Sequence, residues 1–266
     1  MYTRAFSTLG CGDLSLGDVA ELARRHGIGA LELRTLGGTI DLPAYLAGNY
    51  GTPEKLAAEV KRLGVRVVAL DTSFRLMDSP VSERPKLLEF VPWAEALGVK
   101  WLRVFDGGRG LDDGALAAGA ESLRWWRDER QMRGAAVELM IETHDTLFTA
   151  ETLRRFVAAM PEGAAWFLWD THHTWKKGGE DPLVTWRAIA PRVVHAHVKD
   201  SVSVPSGNLP FTYVMPGEGE FPMEALRATL AKEFSGVVSL EWERWWIPGL
   251  APLEEVLAAA QRKRWW

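Results

Sequence analysis

Residues 137–144 read VELMIETH, an apolar run of strand length that closes on a carboxylate and an imidazole. The same grammar recurs at Trp166–His173 (WFLWDTHH), Val193–Asp200 (VVHAHVKD) and Val237–Glu243 (VVSLEWE). These runs are continuously apolar rather than alternating, which is the pattern of strands buried on both faces. Each ends in Glu, Asp or His, and five of the six histidines fall between residues 144 and 197. Ionisable groups are costly to bury beside a core. Their concentration at strand ends points to a metal or a reaction that uses them.

Outward from these four strands the cadence continues. A helical pattern ends near Gly or Pro, an apolar strand follows, and polar residues close it at HGIGALELRT, LGVRVVALDT and LGVKWLRVFD; YTRAFSTL supplies an eighth strand. Eight units in 266 residues average about 33 residues each, the size of a βα repeat. Helices are predicted over Leu16–His26, Thr52–Leu63, Glu83–Leu97, Gly114–Met132, Ala150–Met160, Pro182–Ile189, Met223–Phe234 and Pro252–Arg262. Such a chain most simply closes into one (β/α)8 barrel domain over residues 1–266. The alternative, an open doubly wound sheet, usually carries a phosphate-binding Gly-rich turn after its first strand. Here that turn, Gly10-Cys11-Gly12-Asp13, lacks the full pattern. Ser201–Pro216 is the longest connection, and long loops in compact domains often act as lids.

Composition narrows the function. A charged fraction of 25% with a net charge of −4 fits a soluble globular chain and gives no basic signature for nucleic acid. The single cysteine, Cys11, excludes an intramolecular disulfide. No apolar stretch is long enough to span a bilayer, and MYTRAFSTLGCGDLS lacks the apolar core of a signal peptide. The expectation is a cytoplasmic protein with neither membrane nor nucleic-acid partner.

In a barrel, chemistry sits at the C-terminal ends of the strands. Residues two apart share a face of a strand, so Glu142 pairs with His144, Asp170 with His172, His195 with His197 and Lys199, and Glu241 with Glu243. A divalent ion held by Glu142, Asp170, His197 and Glu241 would have three carboxylates and one nitrogen. That shell favours Mn²⁺, Mg²⁺ or Co²⁺, with Zn²⁺ possible.

IETH at Glu142, DTHH from Asp170 to His173, HAHVKD around His197, PGEGEF at Pro216–Phe221 and SLEWE around Glu241 together resemble the xylose-isomerase-like barrel superfamily, in its sugar-phosphate isomerase/epimerase branch. The opening STLGCGDLS and the ALELRT strand share the resemblance, which spans essentially the whole chain. It implies one metal on Glu142, Asp170, His197 and Glu241, and His173 lining the substrate site. It also implies Glu142 and Glu241 as an acid/base pair that moves a proton beside a ketose carbonyl through an enediolate. Arg103, His173 and Lys199 would orient the substrate or stabilise its oxyanion, and His144 and Glu218 are further substrate contacts. The expected substrate is a sugar, sugar phosphate or polyol ketone, and homodimers or homotetramers would resemble the family.

Other readings of the same residues stand beside this one. His195 reads as a core or supporting histidine, His172 as facing a helix or loop, His26 as a surface residue at a helix end, and Glu32 as either a barrel-interior residue or part of the pocket. Trp265-Trp266 would dock on the barrel or on a neighbouring subunit. An inosose-type dehydratase shares the first proton removal, and a non-catalytic binding barrel would close around salt bridges instead of a metal. A nuclease resembling endonuclease IV needs further His and Asp ligands, which are missing near Asp71 and Asp106 and in the loop 201–216.

Overall fold

The computed structural model describes residues 1–266. Eight parallel strands close into a barrel: β1 (Thr3–Ser7), β2 (Ala30–Leu33), β3 (Arg66–Arg75), β4 (Trp101–Phe105), β5 (Glu138–Glu142), β6 (Phe167–Asp170), β7 (Val193–Val198) and, after a short hairpin, β10 (Val237–Leu240). The hairpin strands are β8 (Asp200–Val202) and β9 (Thr212–Val214). Closure comes from β1 pairing with β10, with Thr3 opposite Val237 and Phe6 opposite Leu240. Helices fill the connections, so this is a single (β/α)8 barrel, and all four runs that end in Glu, Asp or His are barrel strands as the sequence pattern predicts.

Two layers of packing result. Phe6, Leu31, Leu33, Leu102, Leu139, Phe167 and Leu240 belong to the large core between strands and helices. Inside, small groups fill the lower barrel: Ala5 with Ala30 and Val68, and Ala69 with Met140 and Leu168. Strand alternation then lifts Glu32, Asp71, Arg103, Glu142, Asp170 and His197 into the polar end of the same interior. Register fixes their heights, with Asp71 beside Arg103 and Asp170 beside His197.

Several helices begin where the sequence signals them. Ser15 caps Leu16–Arg25 and Asp18 returns the bond to the Ser15 backbone N–H. Thr52 caps Pro53–Leu63, and Gly64 ends it with φ 70°. Four expectations change. The helix predicted over Glu83–Leu97 is two short helices, Arg84–Leu88 and Val91–Ala96. Pro92 sits in the first turn of the second, where its missing N–H costs nothing, whereas inside one long helix it would break the ladder. A helix at Leu42–Tyr50, capped by Asp41, and a short one at Thr171–Lys176 lack a strong amphipathic period and escape the sequence pattern. The Ser201–Pro216 connection is folded into the β8–β9 hairpin. His26 is buried, with Nδ1 3.0 Å from Gln261 Oε1 on the last helix.

The chain end packs on its own barrel. Trp265 and Trp266 are buried, the Trp266 indole N–H donates to Val238 O at 3.3 Å, and Arg4 lies over the Trp266 ring. No helix is long and apolar enough to cross a membrane.

Candidate metal centre

Glu142 closes β5, Asp170 closes β6, His197 lies one residue from the end of β7 and Glu241 follows β10 directly. All four are buried, and their ligand atoms lie within 4.8 Å of one another. His197 Nδ1 stands 3.2 Å from Glu241, 3.7 Å from Glu142 and 3.9 Å from Asp170.

The local structure aims each group. Asp170 divides its oxygens: Oδ1 accepts the His173 backbone N–H at 2.9 Å, capping the helix that starts there, and Oδ2 faces the cluster. His197 divides its nitrogens. Nε2 bonds Glu32 Oε1 at 2.9 Å, leaving Nδ1 for the cluster. The other Glu32 oxygen reaches His195 Nε2 at 2.6 Å, and His195 also bonds Ser239 Oγ at 2.7 Å. Glu32 thus belongs to the site, as the carboxylate behind His197, and His195 is a supporting histidine. A carboxylate on the far nitrogen fixes the ring of a metal-binding imidazole and raises its basicity.

The donor set fits a divalent ion. Glu142 Oε2, Asp170 Oδ2 and His197 Nδ1 are buried without a directed hydrogen bond. Their contacts are with charged neighbours, Arg103 Nε 3.2 Å from Glu142, Lys199 Nζ 2.8 Å from Asp170 and Glu241 3.2 Å from His197 Nδ1, and a bound ion would take over part of that charge balance. Three carboxylate oxygens and one nitrogen suit a hard or borderline divalent cation.

Charge is handled by two further buried cations. Arg103 Nε lies 3.2 Å from Glu142, a second nitrogen lies 3.6 Å from Asp71, and a third donates to Thr72 O at 2.9 Å. Lys199 Nζ bonds Glu241, Asp170 at 2.8 Å and Glu243 at 2.7 Å. Burial alone would raise the Glu142 carboxyl, but Arg103 and His197 outweigh it and bring it down to about 2. Burial is likewise outweighed at Glu241, held well below the usual range by His197 and Lys199. At Asp170 burial prevails over Lys199 and the carboxyl is pushed up. Burial also pushes Asp71 well up, with Glu32 adding to it.

The remaining sequence-derived residues fall in three places. His173 lies beside the cluster, with Nδ1 3.0 Å from Thr143 O and 3.2 Å from Asp170 Oδ2, and burial drives its imidazole well below the ordinary value. His144 sits at the rim, bonded to Asp145 at 2.9 Å, over Phe105 and edge-on to His173. Glu218 is elsewhere: it is exposed and pairs with Lys263 at 3.2 Å. His172 faces the hairpin, bonding Ser201 Oγ at 2.8 Å among Phe211, Tyr213 and Trp175. Asp71 and Tyr213 were not singled out from the sequence. Asp71 closes the apolar run within β3, which was the signal available; Tyr213 arrives on the hairpin, and no local pattern marks it.

Hairpin and following loop are tied down by Asp200. Its carboxylate accepts backbone N–H groups of Ser201, Gly217, Gly219 and Phe221 at 2.8–3.1 Å. Any Cβ at Gly219 would stand 2.1 Å from Asp200 Oδ1, so the PGEGEF turn requires glycine there.

A family model described as xylose isomerase-like TIM barrel matches residues 20–264, and the chain belongs to that family. Solved structures of similar fold include the probable 3-DHS dehydratase AsbF of Bacillus anthracis, with a TM-score of 0.78 and 18% identity over 98% of this chain and 97% of that one. The IolI protein with a bound zinc atom has a TM-score of 0.76 and 21% identity, over 98% and 96% of the two chains. D-Psicose 3-epimerase, solved with D-fructose, has a TM-score of 0.71 and 14% identity, over 98% of each. No curated protein sequence matches the chain.

Proposed function

We propose that the protein is a divalent-metal-dependent isomerase or epimerase of a sugar, sugar phosphate or related polyol ketone. The observation that carries this reading is the convergence of Glu142, Asp170, His197 and Glu241, all buried, with their ligand atoms within 4.8 Å of one another. A divalent ion bound there would polarise a ketone carbonyl and stabilise negative charge growing on its oxygen.

The chain's own residues supply the proton transfers. Glu142 ends β5 and Glu241 follows β10, and β6 and β7 lie between those strands in the barrel order. The two carboxylates therefore approach a substrate from different sides. Both are held ionised; one would accept the proton from the carbon next to the carbonyl, giving an enediolate, and the other would return a proton only after taking one from solvent, the first then losing its proton to solvent to close the cycle. Arg103 holds Glu142 in place through its 3.2 Å contact. His173, neutral by burial, can bond a substrate hydroxyl, and the Lys199 ammonium beside Glu241 supplies positive charge to the developing oxyanion.

A dehydratase reading has one specific support. Lys199 and Tyr213, whose hydroxyl lies 3.5 Å from Glu243, place proton-bearing groups on the Glu241 side, where a leaving hydroxyl would need one. Proton NMR in D2O with the Mn²⁺-loaded protein and a ketose panel separates the outcomes. Deuterium uptake beside the carbonyl, lost in Glu142→Gln and Glu241→Gln, supports isomerisation; alkene signals with loss of water support dehydration. A metal-loaded protein that exchanges no carbon-bound proton in any ketose contradicts both.

A further inference from the structure

Three cationic side chains are buried at the catalytic end: Arg34, Arg103 and Lys199. Arg103 and Lys199 each have carboxylates within 4.0 Å. Arg34 has no carboxylate so close; the hydrogen bond of its side chain is from Nη2 to Ser73 Oγ at 3.1 Å, and its buried Nη1 has no partner. The residue is 4% exposed. It lies two residues beyond Glu32, just past the C-terminal end of β2. Its guanidinium lies 6.0 Å from the Phe105 ring, which Arg103 covers at 4.0 Å. Ser73 is exposed and lines a cleft of about 430 Å³ together with Thr72, Phe74 and Phe90, so the residue that Arg34 bonds is reached from solvent while Arg34 itself lies behind it.

A buried guanidinium without a close counter-ion and with a hydrogen bond unmade is costly, and a bound anion relieves both deficits. We infer that Arg34, with Ser73, receives a carboxylate of the substrate, so that the ketone handled at the metal centre is a polyhydroxy keto acid rather than a neutral sugar. This rests on the metal-centre reading above. The fork of a guanidinium matches a planar carboxylate. A phosphate dianion asks for more donors than one guanidinium edge and one hydroxyl; Arg103 is already committed to Glu142, Asp71 and Thr72 O, and Lys86, which lines the same cleft, pairs with Glu83 at 3.3 Å. Burial, with repulsion from Arg103, lowers the Arg34 guanidinium to about 10, which leaves it charged at neutral pH.

The test is calorimetric and needs no turnover. 5-Keto-D-gluconate, D-fructose and D-fructose 6-phosphate are titrated into the Mn²⁺-loaded wild type and into Arg34→Met and Arg34→Lys. The keto acid should bind the wild type about 10- to 100-fold tighter than fructose. That preference should fall to near unity in Arg34→Met and be partly restored in Arg34→Lys. Equal binding of keto acid and fructose to the wild type, or a preference that survives Arg34→Met, overturns the assignment. Tightest binding of the phosphate overturns the carboxylate. Because the wild-type comparison stands alone, a misfolded variant does not protect the idea. Metal content is measured on the same samples: protein that takes up no Mn²⁺ sinks the metal-centre reading, whereas loaded protein with no keto-acid preference sinks only this one.

Discussion

Glu32→Gln is the substitution that most sharply tests how the centre is held. Glu32 is fully buried and joins His195 at 2.6 Å to His197 at 2.9 Å, with the far nitrogen of His197 turned to the ligand cluster. Burial opposes its ionisation, yet the two imidazoles keep its carboxyl well below the ordinary range, so the charge is present at neutral pH. Glutamine keeps the shape and removes that charge. One amide oxygen can serve one imidazole N–H, and the NH2 then faces the other. Loss of such a partner behind a metal-binding histidine costs about 10- to 100-fold in metal affinity. Breaking a buried ionic pair costs about 3 kcal/mol or more of stability. Competition for Mn²⁺ against a fluorescent chelator reads the first, and urea unfolding of metal-free protein reads the second. Ser239→Ala is the control, because it removes the 2.7 Å bond to His195 and leaves His197 untouched. Its metal affinity should stay within about threefold of wild type. If Glu32→Gln matches Ser239→Ala in affinity, Glu32 does not position His197 and the reasoning fails.

Metal uptake should release a proton. Burial works against charge on His197, but Glu241 and Glu32 overcome it and push the imidazole well above its ordinary value. Without metal it is protonated at neutral pH, so Mn²⁺ affinity should rise about tenfold per pH unit there, and calorimetry in buffers of different ionisation heat should count about one proton released; an affinity flat with pH contradicts this. Asp200→Asn and Gly219→Ala should each destabilise by about 3 kcal/mol, since both disturb the carboxylate that gathers four backbone N–H groups, and protease nicking should begin in the hairpin. Cleavage elsewhere first would show that Asp200 does not hold the loop. Trp266→Ala should cost about 3 kcal/mol in urea unfolding, because the indole is buried against the strand at Val238. A loss below about 1 kcal/mol would mean the chain end is not docked in solution.

Strands were legible because a parallel barrel buries both faces, so each strand is a solid apolar run and its polar end stands out. The clustering of Glu142, Asp170, His197 and Glu241 at one end of the barrel was legible for the same reason, with the family resemblance indicating which residue of each pair faces inward. Roles that depend on a second strand were not. Glu32 could be read as interior or pocket until its two histidine partners, more than 160 positions away, were placed. Lys199 carried its charge in plain view, but its bonding to Asp170, Glu241 and Glu243 is tertiary. The split at Pro92 follows local proline chemistry that a helical period across Glu83–Leu97 masks. The Leu42–Tyr50 helix has too little amphipathic contrast to declare itself, and Tyr213 is positioned by a hairpin whose anchor, Asp200, lies 13 positions away.

The most direct measurement is the metal content of purified protein by elemental analysis, wild type beside the Glu142→Gln/Glu241→Gln double variant, after incubation with Mn²⁺, Co²⁺ or Zn²⁺ and removal of excess. The account predicts about one divalent ion per wild-type chain and a large loss in the variant. Wild type that stays empty in all three metals, or a variant that binds as well as wild type, would contradict the centre built from Glu142, Asp170, His197 and Glu241.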